Sequence, residues 1–205
     1  MKKLLVVYEK AINDTNRDKY IESIQKEIPT ADVVDVNNYC GTQDYDALLA
    51  LEPLSQNWEG IMKWTLSSKN FLDIEGAYTN KLTLTAEAII RTIREKVGFL
   101  LDNKTILIVN QSNVLGKPLA KRLIELGANV ISINSKYQRL ENILSLTDVD
   151  IIVSATGNPE FKIEKFLTRN IPVKIDLSND LEDDNKITRI TTVKVLKWRL
   201  DEWLR

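Results

Sequence analysis

Between Lys104 and Asp180 short apolar runs alternate with helical patterns, and each run stops in a cluster of turn residues. Thr105-Ile106-Leu107-Ile108-Val109 is rich in β-branched side chains and too short for a buried helix, which predicts a central parallel strand. After the turn Asn110 to Pro118, a helix is expected with Leu119, Leu123 and Leu126 on one side and Gly127 as its left-handed cap. Ala128–Ile133, Asp150–Ser154 and Pro172–Asp176 predict three further strands. Upstream, a strand is expected over Lys3–Tyr8, a helix over Thr15–Glu27 and a strand over Ala31–Val36, while residues 37–80 are less regular. A long helix over Thr85–Leu101 would be capped by Thr85 and carry Ile89, Ile90, Ile93, Val97 and Leu100 as its apolar stripe. A last helix, Thr192–Leu204, offers Val195, Leu196, Leu200, Trp203 and Leu204 for burial.

The turn after Val109 carries the first chemistry. Ser112 and Asn113 favour a turn, Gly116 permits close approach of backbone to a ligand or a neighbouring strand, and Pro118 suits the first turn of a helix. A helix N-terminus presents unpaired N–H groups at its positive end, the usual seat of a pyrophosphate, and Lys117 adds charge. The glycine pattern of such turns is altered, with Asn110, Ser112 and a displaced Gly116, so an ordinary strand-turn-helix corner is the competing reading. At the end of the next strand, Asn134-Ser135-Lys136 lacks the carboxylate that would hold a ribose 2′-hydroxyl, which favours NADP over NAD through Ser135 and Lys136. A solvated polar loop is the alternative there. Ala155-Thr156-Gly157 and Asp176-Leu177-Ser178 also fall at strand C-terminal ends, where open α/β sheets keep their ligands.

Composition narrows the classes. The net charge of −1 over 205 residues gives no electrostatic case for nucleic acid or an anionic membrane. Cys40 is the single cysteine, so no internal disulfide or thiolate metal cluster is expected, and a reducing cytoplasm is the simplest home. No histidine is present to shuttle protons near neutral pH, and no metal site is expected. Met1-Lys2-Lys3 followed by Leu4–Tyr8 is too short and too soon interrupted by Glu9 and Lys10 to read as an export signal. No run approaches membrane-spanning length.

The motifs Asn110–Pro118, Asn134-Ser135-Lys136, Ser154–Pro159 and Lys174–Asn179 keep the order and spacing of G-R-S-x-x-V-G-x-P, H-S-[KR]-T, A-V-G-x-P and V-I-D-V-G-I-N. In these features the chain resembles the methylenetetrahydrofolate dehydrogenase/cyclohydrolase family. Leu51–Ser55 resembles that family's Q-L-P-L-P, Asp73–Gly76 its D-V-D-G, and Thr83–Ala86 its P-C-T-P, so the resemblance spans roughly residues 46 to 193. It implies an α/β fold, with a Rossmann-like doubly wound parallel sheet domain plus a smaller N-terminal α/β lobe joined by a long helix. The expected segments are 1–82 for the N-terminal lobe, 83–103 for the connecting helix, 104–190 for the NAD(P) domain and 191–205 for a helix packing back on the first lobe. It further implies a small-molecule folate substrate, a homodimer formed through cofactor domains, and cofactor contacts from Asn110, Ser112, Asn113, Val114, Gly116, Lys117, Pro118, Ser135, Lys136, Ala155, Thr156, Gly157, Asp176 and Ser178.

The departures bear on catalysis. The family's Y-V-x-x-K aligns with Tyr20–Ile24, so its lysine, implied to manage protons in methenyl hydrolysis, has become Ile24. The glutamine that assists it falls at Leu51. Glu75 replaces the second Asp of D-V-D-G and keeps a carboxylate for the pterin, alongside Tyr20 as the other candidate catalytic residue. The C-terminal glycine loop is shortened to Ile187–Thr192. Two readings follow. One is an NADP- or NAD-dependent oxidoreductase that has lost hydrolysis; the other is a non-catalytic dinucleotide-binding or assembly protein of the same fold. Aromatic residues at 39, 45, 58, 64, 71 and 78 either pack the first lobe or face a pterin, and Asp180–Asp184 reads as a solvated loop.

Overall fold

The computed structural model describes residues 3–12, 14–68, 72–76 and 82–203. The chain divides into two compact units, residues 1–84 with 191–205, and residues 85–190. Each is built on a four-stranded, all-parallel sheet, as an α/β chain of alternating strands and helices requires.

In the first unit, β1 (Leu4–Tyr8) is flanked by β2 (Asp32–Asp35) and β3 (Ala47–Ala50), with β4 (Leu72–Asp73) outside β3. The helices are α1 (Thr15–Glu27), α2 (Gln56–Ser68) and, from the far end of the chain, α7 (Thr192–Trp203), which packs on α1. Asp14 starts α1 by accepting hydrogen bonds from the N–H groups of Asn16 and Arg17. One face of the sheet buries Leu5, Val7 and Leu48 against Met62 and Leu66 of α2. Tyr39, Tyr45 and Trp58 pack on that cluster, and the Tyr39 and Trp58 rings meet edge to face at 6.1 Å, so these aromatics are core residues. Trp64 is exposed; Phe71, Tyr78 and Leu204 lie outside the described residues. The expectation of irregularity over 37–80 is thus corrected, because β3 and α2 both lie there.

In the second unit, α3 (Leu84–Val97), α4 (Gly116–Glu125), α5 (Leu140–Leu146) and the single-turn α6 (Lys165–Thr168) accompany β5 (Thr105–Val109), β6 (Asn129–Ile133), β7 (Ile151–Ser154) and β8 (Val173–Asp176), ordered β6-β5-β7-β8. That order is the doubly wound arrangement expected, with Val109, Ile133, Ser154 and Asp176 level at the strand C-terminal ends. The core gathers Leu107, Val109, Ile152 and Ile163 with Ile171 and Leu181. α3 begins one residue before Thr85, which places Thr83 at its cap position, and ends at Val97 because Gly98 turns left-handed at φ 91. Leu100, expected in the apolar stripe, is therefore 80% exposed. Among the described residues no helix is long and apolar enough to cross a membrane.

Candidate functional site

Tyr20 and Glu75 both belong to the first unit. Tyr20 sits in the second turn of α1 and is half-buried; one turn further on, Ile24 is fully buried, whereas Lys19 and Lys26 point to solvent and offer no substitute for a lysine at position 24. Glu75 rides on a tight turn in which Gly76, at φ 82, donates its N–H to both the carbonyl and the carboxylate of Asp73. Arg199 of α7 holds this turn, donating to the carbonyl oxygens of Ile74 at 2.8 Å, Glu75 at 3.3 Å and Leu82.

The electrostatics follow from that enclosure. Burial pushes the Glu75 carboxyl up to about 7, with the Arg199 charge and the Leu84 N–H pulling it down and the Asp73 carboxylate adding to the rise. Burial likewise lifts the Tyr20 phenol to about 12, helped by the charge of Glu75 and opposed by a hydrogen bond with Thr192 and by Arg199. Near neutrality, then, Glu75 exchanges between acid and carboxylate while Tyr20 stays a phenol. Leu51, like Ile24, is buried, so two hydrocarbons stand where the resemblance puts a lysine and a glutamine.

Arg199 and Thr192 are the members that the sequence motifs alone do not reveal, and Arg17 is a further buried charge on the same helix as Tyr20. Arg17 is buried one turn before Tyr20, its guanidinium over the Tyr8 ring at 5.3 Å and bonded to the Glu9 carbonyl. The available signal was periodicity. Arg17 shares the inward face of Tyr20 and Ile24, and Arg199 shares that of Val195, Leu196 and Leu200; a charge on an apolar face needs a partner.

In the second unit the predicted cofactor residues gather at the strand C-terminal ends. Gln111 bridges two of these ends, donating to the Ser132 carbonyl and accepting from Asn134, whose own carboxamide oxygen takes the Lys136 N–H. Ser135 is half-buried and Lys136 exposed beside it. An open cavity of about 650 Å³ adjoins this corner, bounded by Gln111, Lys117, Lys121, Ile124 and Ser132. The N–H of Gly157 reaches the Ser178 hydroxyl at 3.0 Å and links the loops after β7 and β8.

Beneath those loops lie two carboxylates. Asp180 is fully buried and accepts from the Ser154 hydroxyl at 2.6 Å, the Thr156 N–H at 3.0 Å and the Thr156 hydroxyl at 2.8 Å. Asp176, also buried, accepts from the N–H groups of Ser178, Asp180 and Leu181 and from the Lys186 ammonium. Burial works to raise the Asp176 carboxyl, but Lys186 and the Asp180 and Leu181 amides outweigh it and hold it below the usual range. Asp183 pairs with the buried Lys174 at 3.3 Å. The expected solvated acidic loop is instead a buried brace, since Asp180, Leu181 and Asp183 turn inward and only Glu182 and Asp184 face water.

The phosphate turn is likewise closed on itself. The Asn110 carboxamide oxygen accepts from the N–H groups of Ser112 and Gly116, the Ser112 hydroxyl accepts from Leu115 N–H, and the Ser112 carbonyl accepts from Lys117 N–H. The Lys117 ammonium bonds Asn113 at 2.7 Å, while Val114 is exposed and Pro118 stands third in α4. Gly116 is required by backbone: a Cβ there would lie 1.8 Å from the Asn110 carbonyl oxygen. The donor set is that of an anion cradle, yet the N–H groups of Ser112, Leu115, Gly116 and Lys117 are engaged by the turn's own atoms.

The family profile described as tetrahydrofolate dehydrogenase/cyclohydrolase, NAD(P)-binding domain, matches residues 83–192, more than half of the chain. The chain belongs to that family. The second unit is thus the family's NAD(P)-binding domain. Among relatives, the bifunctional protein FolD of Clostridium tetani is 25% identical over 190 residues, covering 91% of this chain and 60% of the relative. That of Polynucleobacter necessarius is 35% identical over 95 residues, covering 46% of this chain and 32% of the relative. The chain therefore spans less than two thirds of the length of these family members. In fold it is similar to the Trypanosoma brucei FolD solved with NADP and an inhibitor, with a TM-score of 0.72 at 16% identity, covering 100% of this chain and 88% of that one. It is also similar to the NAD-dependent methylenetetrahydrofolate dehydrogenase of Saccharomyces cerevisiae, with a TM-score of 0.69 at 15% identity, covering 95% and 84%.

Proposed function

We propose that the protein is an NADP- or NAD-dependent oxidoreductase acting on methylenetetrahydrofolate, without the family's cyclohydrolase activity. The observation that carries this reading is a contrast within the first unit: the carboxyl of Glu75 and the phenol of Tyr20 are kept, while the buried Ile24 and Leu51 replace the pair implied in hydrolysis. A carboxyl balanced near neutrality both donates and accepts hydrogen bonds, which suits the amide and amine edge of a pterin. Tyr20 remains a donor. Nicotinamide, when bound, supplies the hydride acceptor, so the protein's part is to orient donor and acceptor carbons, and no base is demanded at position 24. Hydrolysis does need proton transfer, which a hydrocarbon cannot perform. Ser135 and Lys136 favour NADP through its 2′-phosphate, and two copies are proposed to pair through the cofactor domains as a homodimer.

The self-satisfied phosphate turn favours a second reading, a non-catalytic assembly protein of the same fold. One pair of measurements separates them. With methylenetetrahydrofolate and NADP the full chain is expected to produce reduced nicotinamide, and tetrahydrofolate alone is expected to raise the melting temperature. Absence of both effects would remove the oxidoreductase reading.

A further inference from the structure

We propose that Asn110 is a built-in occupant of the phosphate turn, a side chain that an incoming dinucleotide must displace and that sets how tightly this chain holds it. The inference rests on the reading of that turn as the cofactor site. One oxygen of Asn110 receives three hydrogen bonds, from Ser112 N–H at 2.8 Å, the Ser112 hydroxyl at 2.8 Å and Gly116 N–H at 2.9 Å. Two backbone amides and a hydroxyl converging on one oxygen at a helix start is the environment a phosphate oxygen takes. The other end of the carboxamide is anchored too, donating to the Ala155 carbonyl at 2.6 Å, so the side chain is fastened across the ends of β5 and β7. Gly116 brings the first residue of α4 against the Asn110 carbonyl, which leaves the carboxamide, and not the backbone, as the part that can swing away.

Asn110 stands where the resembling motif has glycine, a residue with nothing to place in the turn. An anion therefore meets donors already satisfied in this chain, and binding exchanges one set of hydrogen bonds for another instead of adding new ones. An exchange of that kind leaves affinity low and makes it sensitive to one side chain.

Calorimetric titration of the full chain with NADP and with NAD tests this directly, with melting temperatures verifying folding. Asn110→Gly and Asn110→Ala are each expected to bind both nucleotides about tenfold more tightly than wild type. Asn110→Asp, which puts a negative charge at the same point, is expected to bind about tenfold more weakly or not at all. Should Asn110→Gly fail to fold, Asn110→Ala asks the same question with an ordinary backbone. If wild type binds and both neutral variants bind no better, the occupant role is overturned and the cofactor reading stands. If only the neutral variants bind, the occupant role is upheld and the oxidoreductase reading of the natural chain falls. If nothing binds, both fall.

Discussion

Arg199 donates from Nη1 to the carbonyl oxygen of Ile74 across 2.8 Å, which ties a helix from the end of the chain to the turn that carries Glu75. The same guanidinium reaches the carbonyls of Glu75 and Leu82. Arg199→Met is expected to lower stability by about 2–4 kcal/mol, the loss of several charge-assisted hydrogen bonds. It also removes a charge that lowers the Glu75 carboxyl, so that group should titrate higher than about 7. Carbon-13 titration of the Glu75 carboxyl reads the second effect, and an unchanged titration would detach Arg199 from it.

Glu75 should leave a signature in the pH dependence of stability. Its folded value of about 7 lies above its ordinary 4.5, so the folded chain binds this proton more tightly than the unfolded one. The resulting stabilisation is fully present below about 4.5 and is lost as pH rises through about 7. Melting temperatures of wild type should therefore fall relative to Glu75→Gln across that window and run parallel above it. A difference that stays constant throughout would contradict the placement.

Ile24 is sealed in the first unit, and returning a lysine to it is expected to cost stability before it restores chemistry. Ile24→Lys should lose about 3 kcal/mol or more, the consequence of burying an ammonium, against about 2–4 kcal/mol for Ile24→Ala. Methenyltetrahydrofolate hydrolysis should stay at background in both. A lysine variant that melts like wild type and hydrolyses would show that loss of the lysine alone silenced that activity.

Asp180 organises the loop after β7 through Ser154 and Thr156. Asp180→Ala should cost about 2–4 kcal/mol in denaturant unfolding because it strands buried donors. Asp180→Asn keeps one acceptor and should cost less. Equal, negligible losses would mean that the loop is held by other contacts.

Ser135 and Lys136 are proposed to set the choice between nucleotides. Replacing both by alanine should weaken NADP about tenfold, through lost contacts to a 2′-phosphate, and NAD by about twofold or less. Equal weakening of the two would remove these residues from that role.

Much of the second unit was legible because its strands are β-branched runs ended by turn residues, as Thr105–Val109 shows by matching its expected bounds. Helix α1 matches its expected bounds, Thr15–Glu27, and the structure shows Asp14 as its cap. β3 was not, since Ala47-Leu48-Leu49-Ala50 is helix-friendly by itself and becomes a strand only because β1 offers a neighbour. α2 was obscured by Gly60 and by aromatics scattered around it. At the candidate site, the replacement of glycine by Asn110 was visible, but not that its carboxamide folds back onto Gly116. The burial of Asp180 is hidden for a related reason. Charge in a run suggests water, and only the three-dimensional convergence of Ser154 and Thr156 turns one carboxylate inward.

The first unit is discontinuous in sequence, with residues 191–205 completing what residues 1–84 begin, while residues 85–190 form one uninterrupted stretch. In order of translation the nucleotide domain has all of its own elements before the first unit gains α7. Residues 85–190 can therefore fold before residues 1–84 are completed by α7. Truncating α7 would be felt at Glu75, on a turn made more than a hundred residues earlier.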